Sequence, residues 1–92
     1  MKTFHIKIIT PEQVVFDDVV TSVVVPGGSG SFGVLANHAP LISTLTPGRL
    51  TLSIPNGKKE TFQIGPGFID ILDNEVSLLS ESVTPEVSKA TA

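Results

Sequence analysis

Ninety-two residues, 40% of them hydrophobic and 16% charged, suit one globular domain with a single small core, a size that buries roughly 60–65% of its unfolded surface. The chain has no cysteine, which excludes a disulfide staple or a thiolate metal site and fits a reducing compartment. A net charge of −3 and the lack of Trp and Tyr argue against nucleic acid, which calls for a basic patch and stacking platforms.

Phe4, Ile6 and Ile8 alternate with His5, Lys7 and Ile9, the period-2 pattern of a half-buried strand. With no continuous apolar run there, the amino terminus is not expected to be a signal peptide. Thr10-Pro11-Glu12 ends this strand, Val14-Val15-Phe16 resumes, and Asp17-Asp18 predicts a solvated break. Val19 to Val25 is rich in β-branched residues; it suits a strand buried on both faces or one that crosses between two sheets.

Pro26 to Leu41 is the distinctive stretch. It carries Gly27, Gly28, Gly30 and Gly33 around its single aromatic residue, the large apolar Phe32, which predicts a mobile or docking loop on a rigid frame. Between Asp18 and Arg49 the one ionisable side chain is His38, a surface suited to protein rather than to a charged small molecule. Pro26, Pro40 and Pro47 interrupt this uncharged region, leaving no apolar span long enough to cross a bilayer, so no direct membrane insertion is expected.

Further on, Leu41 to Leu45 is a short apolar strand ended by Pro47-Gly48, and Leu50, Leu52 and Ile54 alternate with polar positions. Asn56-Gly57 predicts a type I′ hairpin turn leading into Lys58 to Ile64. Gly65-Pro66-Gly67 and Asp73-Asn74 bracket Phe68 to Leu72, and Glu75 to Ser80 is the last strand. The spacing of the turns predicts an all-β fold, a small β-sandwich or flattened barrel of roughly eight to ten short strands. The sandwich is expected over residues 1–80 and a polar tail over 81–92. In that tail Thr84 reads as an N-cap and Pro85 as the first helical residue of a frayed stub.

No chemistry-bearing constellation emerges. Gly28-Ser29-Gly30-Ser31-Phe32-Gly33 spells G-x-G-x-x-G, but a dinucleotide site needs a helix immediately after it, and the proline-ended Val34 to Pro40 supplies none. His5 and His38, without cysteine, make a poor zinc set. Asp17 and Asp18 point to opposite faces of a strand and do not converge on a substrate. No serine lies in a nucleophile elbow. No catalytic, cofactor or metal residue is predicted.

The order of Thr10-Pro11-Glu12, Gly30-Ser31-Phe32-Gly33-Val34, Asn37-His38-Ala39-Pro40-Leu41, Pro47-Gly48 and Gly65-Pro66-Gly67-Phe68 resembles one family, the ε subunit of F-type ATP synthase (δ in mitochondria), in its amino-terminal β-sandwich. The resemblance runs from about Phe4 to Ser80. It implies a non-catalytic rotor part at the foot of the central stalk, between the γ subunit and the c-ring, held peripherally at the cytoplasmic face of the energy-transducing membrane. Carried over, Gly30, Ser31 and Phe32 face the c-ring, and Thr10, His38 and Ser43 lie toward γ. Many relatives carry glutamate where this chain has Ser31, and most continue into a helical hairpin that blocks rotation or binds ATP. Pro85 to Ala90 looks like an altered start of that nucleotide motif without its partner residues, so neither nucleotide binding nor tail-mediated inhibition is expected. Two competing readings remain: a free-standing β-sandwich module that binds peptides by edge-strand addition, and a small hydrolase with converging Ser, His and Asp.

Overall fold

The computed structural model describes residues 2–28 and 30–86, which form ten strands. β1 (Phe4–Ile9), β8 (Gly67–Leu72) and β9 (Glu75–Ser80) follow the alternation of their sequences, with every second residue buried. Their inward residues Ile6, Ile8, Ile69 and Leu78 are wholly shielded from solvent. β6 (Gly48–Ser53) and β7 (Lys59–Ile64) supply Leu50, Leu52 and Phe62 to the same core from the other side.

One ladder runs β10 (Val83–Pro85), β7, β6, β3 (Ser22–Gly27), β5 (Leu41–Leu45), β8, β9, β1 and β2 (Val14–Val20), with β4 (Gly30–Leu35) added on β3. β3 (Ser22–Gly27) and β5 (Leu41–Leu45) are joined through a single pair, Gly27 with Leu45. At this join the ladder folds over, so that β10-β7-β6-β3-β4 covers β5-β8-β9-β1-β2 and the two inner faces share one core. The all-β flattened barrel read from the sequence is the observed architecture.

The β-branched run from Val19 takes the second of its two expected forms. Val20 ends β2 (Val14–Val20), Ser22 begins β3, and between them the Thr21 N–H and Oγ1–H donate to the Ser53 carbonyl at 2.8 and 3.0 Å. The chain changes sheet halves at that residue.

Four local expectations are corrected. Asp17-Asp18 is not a break but the exposed middle of β2, paired with Lys7 and Ile6; β2 is an edge strand, where charge is tolerated and deters strand pairing. Most of the glycine stretch is strand β4 (Gly30–Leu35), the return arm of a hairpin with β3. At Asn56-Gly57 positive φ falls on Gly57 alone, at 92°. Pro55 sits second in the Ile54–Gly57 turn closed by Gly57 N–H to Ile54 O at 2.9 Å, and its fixed φ selects the unprimed form. The primed turn is instead Asp73-Asn74, with φ of 50° and 62° between paired Leu72 and Glu75. Finally, Val83–Pro85 is strand β10, not a helix start. It pairs with Phe62–Ile64 of edge-exposed β7, and Pro85 ends a strand at the sheet margin where its missing N–H costs little. Residues 87–92 of the proposed tail lie outside the described residues.

Candidate functional site

The β3–β4 hairpin is built by its glycines. Val25 stands opposite Phe32, Pro26 opposite Ser31 and Gly27 opposite Gly30. Gly30 has φ of 120°, a region that side chains disfavour. The Phe32 ring lies so close over Gly27 that a Cβ there would come within 3.0 Å of it. Gly27 thus leaves room for an aromatic ring close against it, and Phe32, half-buried, packs against the core.

Beside this hairpin an open groove is lined by residues of the β3–β4 hairpin and of β5. Gly27, Gly28, Gly30, Ser31 and Phe32 form one wall, and Leu41, Ser43 and Thr44 the other. None of these side chains carries a charge. Next to groove-lining Gly27 in the chain, Pro26 O accepts from the Thr46 N–H at 3.0 Å, and the Pro26 ring packs where a Cβ on Gly48 would be 2.9 Å away. Such a surface admits another backbone at close range and offers Phe32 as its large apolar contact.

The residues expected to meet partners therefore fall into three places. Gly30, Ser31 and Phe32 share the groove with Ser43. His38 sits just beyond β4; its N–H donates to Leu35 O at 3.2 Å, and its ring Nδ1–H donates to Ala39 O at 2.7 Å, which fixes the tautomer. The same segment is held to the β8–β9 turn, where the Asn37 N–H donates to Asn74 Oδ1 at 2.6 Å. Thr10 lies at the opposite end of the sheet. Ile9, before it, pairs with Leu79, whereas Asn74 neighbours His5 at the start of the same parallel pair. Thr10 is 7% exposed and closes the β1–β2 turn through mutual bonds with Gln13. It shapes a surface rather than presenting one.

Sequence reading overlooked an apolar patch on the outer face of β5-β8-β9. Phe68 is 50% exposed, Leu79 39% and Ile42 73%, and the first two are cross-strand partners. The signal was available in Phe68-Ile69-Asp70-Ile71-Leu72, which carries apolar residues at both phases of the alternation. Among the described residues no helix is long and apolar enough to cross a membrane.

Residues 3–86 match the family model described as ATP synthase, delta/epsilon chain, β-sandwich domain. An ATP synthase epsilon chain from Nitratiruptor sp. is 41% identical over 85 residues, covering 92% of this chain and 66% of the relative. One from Chlorobaculum tepidum is 40% identical over 83 residues, covering 90% of this chain and 94% of that one. A Rhizobium etli epsilon chain is 39% identical, with 61% of its length spanned; the chain thus spans under two thirds of some relatives and nearly all of another. In fold, it is similar to a chain of the Euglena gracilis mitochondrial ATP synthase (OSCP/F1/c-ring), with a TM-score of 0.86 at 24% identity over 90% of this chain and 53% of that one.

Proposed function

This chain belongs to the ATP synthase delta/epsilon family by its β-sandwich domain, and on that premise we propose that it is the central-stalk subunit coupling c-ring rotation to γ in proton-driven ATP synthesis. The observation that carries the reading is the family match over residues 3–86. The uncharged β3–β4 hairpin supplies it with a surface fit for protein contact. The role is mechanical: the chain transmits torque and performs no catalytic step, and it associates with the cytoplasmic side of the membrane through the complex.

In this arrangement Gly30, Ser31 and Phe32 face the polar loops of the c-ring, while His38 and Ser43 face γ and Thr10 shapes a more distant part of that contact. Ser43 and Phe32 line the same groove, so the two proposed contacts meet there. Contacts that bear torque need slow dissociation, which in related interfaces is where affinity is tuned.

Titration of the purified chain against γ of the same organism, by calorimetry, tests the reading. One-to-one binding, weakened by His38→Glu or Ser43→Arg, is the expected result. Absence of binding to well-folded γ overturns it.

A further inference from the structure

His5 stands on the outer face of β1 with a carboxylate on either side. Its Nε2 contacts Asp17 Oδ1 on β2, and its Nδ1 lies 2.9 Å from Glu75 Oε1 on β9. Three adjacent strands are thereby linked by one ring. An imidazolium has two N–H groups and satisfies both carboxylates; a neutral ring has one N–H and turns a lone pair toward the other. The arrangement is complete only with the proton in place.

The strands do not depend on this link equally. β1 and β9 are each paired on both sides, whereas β2 is held by β1 alone among the described strands. The β1–β2 register also slips between Ile8 and Ile9, so the ladder is already weakened at one end. The other charges on this face are mostly of one sign. Asp70 lies on β8 opposite Ser77, and Asp73 is in the adjoining turn, whereas Asp18, opposite buried Ile6, is on the other phase of β2; Lys7, paired with Asp17, is the cation of β1 there. Once His5 is neutral, the carboxylates on β2 and β9 lose the charge that lies between them.

We propose that His5, Asp17 and Glu75 form a proton-operated clamp that fastens edge strand β2 to the sheet, and that loss of the proton lets β2 open before the rest of the fold. Hydrogen bonds from Glu75 first, then Asp17, raise the His5 pKa above its ordinary 6.5. A raised folded pKa means the stabilisation is fully present below the unfolded value and is lost as pH climbs through the folded one. The clamp is closed on the acid side and released on the alkaline side. Opening of this kind is sub-global, confined to an edge strand with a single ladder partner.

The test is NMR on the full chain between about pH 5 and about pH 9, following the His5 ring and the exchange protection of β2 amides with the intrinsic base-catalysed rate divided out. His5 is expected to titrate above its position in the urea-unfolded chain. β2 protection should fall across that range, about tenfold for each pH unit separating the two values, while β6 and β7 amides hold theirs. His5→Gln should flatten the β2 profile, and Asp17→Asn should shrink it with the sheet intact. A folded His5 that titrates where the unfolded one does, or β2 protection with the same pH profile in His5→Gln as in the wild type, overturns the clamp.

Discussion

Asn37 and Asn74 hold each other across the gap between the β4–β5 connection and the β8–β9 turn. The Asn37 N–H donates to Asn74 Oδ1 at 2.6 Å, and Asn74 Nδ2 donates to Asn37 Oδ1 at 3.2 Å. Both residues have positive φ, 66° and 62°, a conformation that asparagine tolerates better than most side chains. The segment carrying His38 is therefore pinned to a primed turn on the other half of the sheet, not left as a free loop.

Replacing Asn74 separates these two roles. Asn74→Gly keeps the turn conformation and removes the side-chain bonds, and should cost about 1 kcal/mol. Asn74→Ala loses the same bonds and adds left-handed strain, for a total of about 2 kcal/mol. Urea unfolding of both variants measures the difference. Equal losses would mean that the turn imposes no backbone demand.

Glycines in this chain have unequal reasons for being glycine. A Cβ on Gly67 would lie 1.9 Å from the Leu79 carbonyl oxygen, a backbone atom that cannot swing away. Gly67→Ala should therefore cost about 3 kcal/mol, at the upper end for overpacking. A Cβ on Gly33 would meet nothing closer than the Val23 carbonyl at 3.9 Å. Gly33→Ala should stabilise by about 0.5 kcal/mol through the unfolded chain. A thermal melt in which both variants shift alike would overturn this distinction.

Within the proposed stalk contact, Ser31 separates docking from folding. It is exposed on β4, opposite Pro26, so Ser31→Lys should alter stability by less than about 0.5 kcal/mol. The groove beside it is uncharged, and a lysine buried there by a partner would go unpaired, at a cost of about 2 kcal/mol. Binding to detergent-solubilised c-ring should weaken about 30-fold. Undiminished binding would place the ring contact elsewhere on the hairpin.

How far the sequence reached depended on whether a signal was local. The strands with clean alternation, such as Phe4 to Ile9 and Glu75 to Ser80, formed as read because burial on one face follows directly from period 2. The glycine stretch misled because β4 has just one inward residue that is fully buried, Val34, with Phe32 half-buried beside it. Its strand character comes from pairing with β3, which is a tertiary fact. Thr84-Pro85 has a helix-start spelling, yet the open edge of β7 offered it a ladder first. That Gly30, Ser31 and Phe32 lie together was legible from their adjacency in the chain. The distance between Thr10 and His38 was not, since it depends on the parallel pairing of β1 with β9.

Glu86 secures the other end of the ladder, and its pH dependence should run opposite to that of His5. Its Oε2 accepts from Gln63 Nε2 at 2.7 Å, its Oε1 lies 3.0 Å from Arg49 Nε, and its N–H donates to Thr61 O at 2.9 Å. The Gln63 hydrogen bond, followed by Arg49, holds its pKa below the ordinary 4.5. A lowered folded pKa gives a contribution that is present above the unfolded value and lost as pH falls through the folded one. β10 amides should therefore lose exchange protection on acidification, whereas β2 amides lose it on the alkaline side. Glu86→Gln should remove the acid limb at β10 while leaving β2 unchanged, because the two strands terminate opposite ends of one strand path and share no side-chain bond among the described residues. A variant that altered both edges together would show that the sheet opens as a single unit, not from its margins.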